Sequence, residues 1–246
     1  VGSEIAHKLS SAGIENLDIF DSDYYSIDNL YRHILPEEFL GLAKSHGLGW
    51  QLQRQFLWSK AKGSSKKLLS LRNRQKLMSY DLIVVAIGSP THERLFKEYL
   101  IENDVDVPVI NTWLEGFGVG GHATLDIPAS KGCLLCAYVC QETLVRGLNS
   151  NLNFIESNQN VTINLAVCGE QFISYGAICS AQTAIMASDL AIKFLEDKIT
   201  TSSKVSWKGS DYDANDNDIQ LTHRYHQFFD SLQIKPLHDE DCDACS

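Results

Sequence analysis

The sequence predicts a Rossmann-like α/β fold: a doubly wound, mostly parallel sheet with a C-terminal antiparallel part. Three observations carry the prediction. Residues 82–87, Leu-Ile-Val-Val-Ala-Ile, form a continuous apolar run of the kind a strand covered on both faces requires. A helical pattern of roughly a dozen residues from Thr91 separates that run from a second apolar strand at 107–111. The same alternation opens the chain, where an amphipathic helix leads into a strand at 17–20.

The elements follow in order. Ile5, Ala6 and Leu9 keep helical spacing, and Gly13 ends that first helix. Residues 17–20 read as a buried strand with Asp21 at its C-terminal edge. Helices are expected over 36–46 and 50–60, then an exposed, basic and Ser-rich helix and loop over 60–76. Gly88-Ser89-Pro90 ends the strand at 82–87. The glycine-rich stretch 117–121 reads as a turn into an antiparallel strand at 122–126. Residues 141–167 carry few signals, and 174–197 hold a long helix rich in small residues. A turn at 200–203, a short strand at 204–207 and an acidic, Asn-rich loop at 211–218 complete the pattern.

No linker or internal repeat divides the 246 residues, so a single domain over 1–246 is expected. Hydrophobic residues at 44% and charged residues at 21% exclude wholesale disorder. A net charge of −10 argues against nucleic-acid binding. No run of about 18 apolar residues predicts a membrane span. The opening VGSEIAHKLS has no initiator Met and no signal-peptide pattern. It reads as a fragment whose first strand and the start of its phosphate loop lie upstream, from a cytoplasmic protein.

Cysteine spacing is the sharpest local signal. Cys133-Leu-Leu-Cys136 and Cys242-Asp-Ala-Cys245 are two C-x2-C knuckles with 105 residues between them. Four thiolates suit a tetrahedral, closed Zn²⁺ site, which would staple the C-terminus to the domain without an open position for chemistry. A disulfide or a buried pair of thiols is the alternative reading. Cys140 and Cys179 read as small core residues.

Asp21 falls 19 residues after Gly2, the place where dinucleotide folds put an acidic residue on ribose hydroxyls. It leads through Asp23 into Asn29, Arg32 and Lys44. Cations close to a ribose-binding carboxylate suit a triphosphate, for which a nicotinamide enzyme has less use.

Together, Gly2 through Gly13, Asp21-Ser-Asp23, Asn29-Leu-Tyr-Arg32 and the paired knuckles resemble the ThiF/MoeB and ubiquitin-activating-enzyme adenylation domain, and the glycine-rich segment from Trp113 to His122 is most similar to bacterial members of ubiquitin-like conjugation systems. The resemblance implies ATP and Mg²⁺ as cofactors and a ubiquitin-like or sulfur-carrier protein whose C-terminal carboxylate is adenylated. It also implies a homodimer, a conjugating-enzyme partner and, in some members, transfer of the acyl group to a cysteine. Carried across, Gly2 belongs to the phosphate turn, Asp21 and Asp23 to the ribose and metal end, and Asn29, Arg32 and Lys44 to the phosphates. Cys168, ahead of the long C-terminal helix, matches the acyl-accepting position, with simple packing as the alternative.

One departure stands out. The family places an Asp after the strand that ends here at Ile87, and this chain has Gly88 instead. Asp23 or Glu93 would then serve the Mg²⁺, or the chain is a non-catalytic partner subunit. A nicotinamide-dependent oxidoreductase is the third reading. His122 and His223 are expected to be structural.

Overall fold

The computed structural model describes residues 1–140, 143–164, 171–173 and 175–229. Helix α1 (Gly2–Ser11) buries Ile5, Ala6 and Leu9, and the chain turns away at Gly13 as expected. Strand β1 (Asp18–Phe20) pairs in parallel with β2 (Lys62–Ser64). The basic stretch expected as helix and loop therefore begins with a strand. Lys-Gly-Ser carries no apolar pattern, so only its partner β1 and the helix beneath reveal it.

That helix is α2 (Lys44–Gln55), a single segment where two helices were expected. Residues ahead of it form short 3-10 turns at Ile27–Asn29 and Glu37–Phe39 instead. Tyr25, Leu35 and Phe39 pack into a small apolar cluster of their own, which holds this stretch as a compact loop. A one-turn helix α3 (Arg74–Leu77) leads to β3 (Ile83–Val85), α4 (Pro90–Glu102) and β4 (Val109–Leu114).

β5 (Gly120–Asp126) returns antiparallel to β4. After a 3-10 segment at Leu134–Tyr138 comes a small hairpin, β6 (Thr162–Asn164) and β7 (Gln171–Ile173). The chain continues through α5 (Ala177–Leu195), β8 (Ser203–Lys208), α6 (Tyr212–Asp216) and α7 (His223–Gln227). The acidic stretch expected as loop thus holds the five-residue α6.

The central sheet runs β3-β4-β5-β8, parallel at β3/β4 and antiparallel beyond. Alternation along its strands serves two apolar layers. Ile110 and Leu125 meet Ile5 and Leu9 of α1 and Ala184, Ala187 and Ala191 of α5 on one face. Val85 and Val109 meet Phe96 and Leu100 of α4 on the other. Helices on both faces of a mixed sheet are the doubly wound arrangement read from the sequence. Helix α5 is the one described helix long and apolar enough by composition to cross a bilayer. Its Ala184, Ala187 and Ala191 are fully buried against the sheet, as a core helix requires.

Candidate functional site

The C-terminal tip of β1 and the heads of α1, α2 and α5 meet at one end of the molecule, the end where open α/β sheets take ligands. Asp21 follows β1 directly and is tied down on three sides. Its N–H donates to Ser64 O (3.1 Å), its carboxylate accepts the Asp23 N–H (2.8 Å), and its carbonyl accepts Ser45 Oγ (3.0 Å). Burial raises its pKa, so the site holds a carboxylate already stripped of part of its water.

Asp23 is exposed, and Lys44 Nζ lies 3.1 Å from its Oδ2. Lys44 opens α2, and its own N–H donates to the Asp23 carbonyl (2.9 Å). Arg32 hydrogen-bonds through Nη1 to the hydroxyl of Tyr175 (3.1 Å), just ahead of α5. The Val1 amino group donates to Ser180 Oγ (2.8 Å), bringing the heads of α1 and α5 together. Gly2 is open toward this end: a Cβ there would meet nothing nearer than Ala86 Cβ at 3.8 Å.

His33 reports the field. Burial first, then Lys44, the Val1 amino group and Arg32, hold its pKa down at about 4. Its Nδ1 instead accepts the Leu35 N–H (3.2 Å). Lys44 and Arg32 thus bear on one small volume beside Asp21, with a neutral imidazole between them. The sequence reading did not include His33 or Tyr175; adjacency to Arg32 was the available signal for His33, and nothing local marks Tyr175.

Asn29 is buried, but its Oδ1 turns back to accept the Ser26 N–H and hydroxyl (3.2 Å each), capping its own turn. Only its NH2 is left to face a ligand. Gly88 sits at φ +62° with open space around it. Glu93 is 1% exposed, and its carboxylate accepts the N–H groups of Ser89 (3.2 Å) and Gly88. It serves as the cap of α4. Asp23 is therefore the carboxylate of the two that stands open at this end.

The cysteines divide. Sγ of Cys133 and Cys136 lie 3.9 Å apart, too far for a disulfide and close to the roughly 3.8 Å edge of a tetrahedron with ~2.3 Å bonds. The N–H groups of Leu135 and Cys136 point at the Cys133 sulfur. Cys168, Cys242 and Cys245 lie outside the described residues. Among the described residues no three His, Cys, Asp or Glu cluster as a metal site. Cys140 and Cys179 are half-buried rather than core residues. His122 is fully buried and His223 is exposed.

A family model described as ThiF family matches residues 1–244. The chain belongs to the ThiF family. Among solved structures, this ThiF-family chain is similar to E. coli MccB crystallised with ATP, at TM-score 0.60 and 16% identity over 89% of this chain and 59% of that one. E. coli MccB with MccA-N7isoASN gives TM-score 0.60 and 16% identity over 90% and 60%. PaaA gives TM-score 0.58 and 14% identity over 85% and 58%. The chain therefore spans about 60% of the length of these relatives. At such identities the likeness is one of fold. A search among curated proteins returns no match.

Proposed function

We propose that this chain carries the nucleotide site of an ATP-dependent adenylyltransferase that activates the C-terminal carboxylate of a peptide or small carrier protein. The observation that carries the reading is the convergence of Arg32, Lys44 and the head of α1 around His33 and Asp21. Asp21 would accept the ribose hydroxyls, and the N–H groups at Gly2 would face the phosphates. Arg32, Lys44 and the Asn29 amide would bind the phosphate oxygens.

In that reaction a carboxylate oxygen attacks the α-phosphorus while the α–β bridging bond breaks. The products are an acyl-adenylate and pyrophosphate. Negative charge builds on the departing pyrophosphate, and fixed cations stabilise it without reorganising. Mg²⁺ would be held by Asp23 together with the phosphates, because one carboxylate plus phosphate oxygens is an ordinary Mg²⁺ environment. The ion supplies charge neutralisation between the phosphates.

The finer reading names a ubiquitin-like or sulfur-carrier substrate, thioester formation on Cys168, a conjugating-enzyme partner and a homodimer, in the cytoplasm. Cys133 and Cys136, as free thiols at tetrahedral separation, fit two corners of a Zn²⁺ site that Cys242 and Cys245 would complete. MccB crystallised with MccA-N7isoASN supports a peptide among the substrates to be tried.

The test is thermal stabilisation by Mg-ATP against NADH, followed by pyrophosphate release with candidate carboxylate partners. A ligand at 100 times its Kd adds about 2.7 kcal/mol. Mg-ATP should stabilise the chain and NADH should not. Arg32→Ala should weaken Mg-ATP by roughly 10- to 150-fold, the worth of a hydrogen bond to a charged group. Stabilisation by NADH alone would sink the reading. ATP binding with no pyrophosphate release for any partner would favour a non-catalytic subunit, in keeping with Gly88.

A further inference from the structure

Arg32 does not stand free at the phosphate end. Its guanidinium carbon lies 5.4 Å from the ring centroid of Tyr175 and 5.3 Å from that of Tyr31. The Tyr175 hydroxyl accepts from Nη1 at 3.1 Å, a contact between residues 143 positions apart. Tyr31 is a chain neighbour of Arg32 and half exposed, so it moves with the same turn. Tyr175 is anchored differently: it is half-buried and immediately precedes Gly176, the N-cap of α5.

We propose that Tyr175 is a positioning residue for Arg32, holding the guanidinium aimed at the phosphates before the nucleotide arrives. This rests on the adenylyltransferase reading above and names a residue for it. An arginine side chain on a loop is costly to order, and a binding site that orders it only on contact loses that cost from its affinity. The hydroxyl uses one of the five guanidinium N–H donors, leaving the others for phosphate oxygens. The ring fixes the plane of the fork, which matters because bidentate recognition of phosphate is planar. The two contacts are separable by substitution. Tyr175→Phe keeps the ring and removes the hydroxyl; Tyr175→Ala removes both.

The experiment is calorimetric titration of the full chain with Mg-ATP and, separately, with inorganic tripolyphosphate. Tyr175→Phe should weaken both ligands roughly three- to tenfold, the cost of ordering one long side chain on binding, and Tyr175→Ala should weaken them further. The melting temperature of unliganded Tyr175→Phe should match wild type. In an Arg32→Ala background, titrated to concentrations that reach its weaker affinity, Tyr175→Phe should have no further effect. Wild-type affinity in Tyr175→Phe, or an equal loss with and without Arg32, overturns the proposal. If wild type binds Mg-ATP and Tyr175 is immaterial, the positioning role falls while the adenylation reading stands. If tripolyphosphate binds through Tyr175 and Mg-ATP is refused, the nucleotide reading falls and the positioning role stands. Failure of wild type to bind either ligand overturns both.

Discussion

Glu93 is a carboxylate almost without water, and the N–H groups of Ser89 and Gly88 partly compensate it. Burial dominates, and its pKa rises from 4.5 to about 7. The sign follows from linkage. The folded state favours the protonated acid, so the stability this group contributes is present in full below about 4.5 and is lost as pH rises through about 7. The shift corresponds to about 3 kcal/mol. Glu93→Gln removes the titration and keeps an acceptor for the N–H groups. Its stability relative to wild type, from urea unfolding, should therefore improve between about pH 5 and about pH 8. A difference that stays flat over that interval would show that Glu93 keeps an ordinary pKa. Its neighbour in role, Gly88, takes a left-handed backbone with open space beside it, so the missing Asp at that position leaves room rather than strain.

At the scale of elements, β2 positions the cationic residues through close backbone contact. A Cβ on Gly63 would lie 2.3 Å from Ser45 O and 2.4 Å from His46 N, both in the first turn of α2 beside Lys44. Gly63→Ala must push that turn away. It should cost about 1–3 kcal/mol and also weaken Mg-ATP, because Ser45 and Lys44 move with the turn. Gly147→Ala, whose Cβ would meet nothing nearer than 3.9 Å, is the control and should change stability by less than about 0.5 kcal/mol. The other end of the sheet is held by polar bonds. Buried Glu115 accepts His122 Nε2 (2.6 Å) and the Ile155 N–H (2.8 Å) as well as the Phe154 N–H, while His122 Nδ1 meets Ser206 Oγ (2.8 Å). Arg224 of α7 joins through Ser206 (3.1 Å). Glu115→Ala removes the acceptor of the Phe154 and Ile155 N–H groups and of His122 Nε2, and chemical denaturation should register a loss of at least about 3 kcal/mol.

For the whole molecule, the zinc reading makes a prediction about closure. Full-length protein should carry one zinc per chain by elemental analysis, and a chelator or Cys133→Ser should lower its melting temperature. Zinc-free protein with an unchanged melting temperature would reduce the Cys133–Cys136 pair to a local turn. Much of the proposed nucleotide end could be grouped from the sequence because its parts lie close together in it. Asp21, Arg32 and Lys44 fall within one loop and the helix start that follows it, so spacing alone suffices to group them. Tyr175, 143 positions from Arg32, has no such signal.

What the sequence determined by itself was whatever depends on local period and local chemistry. The apolar runs of β3 and β4, the helical faces of α1, α4 and α5, and the order of acid and cations after β1 are each written in neighbouring residues. Tertiary structure decided the rest. Lys-Gly-Ser became a strand only because β1 offers a ladder and α2 leaves room for a glycine alone. Glu93 became a cap, Glu115 a buried anchor and Tyr175 the partner of Arg32 only once distant segments met. The physical reason is common to all of them. Backbone pairing, desolvation and long-range hydrogen bonds depend on which groups exclude water together, and that is a property of the packed chain rather than of any window along it.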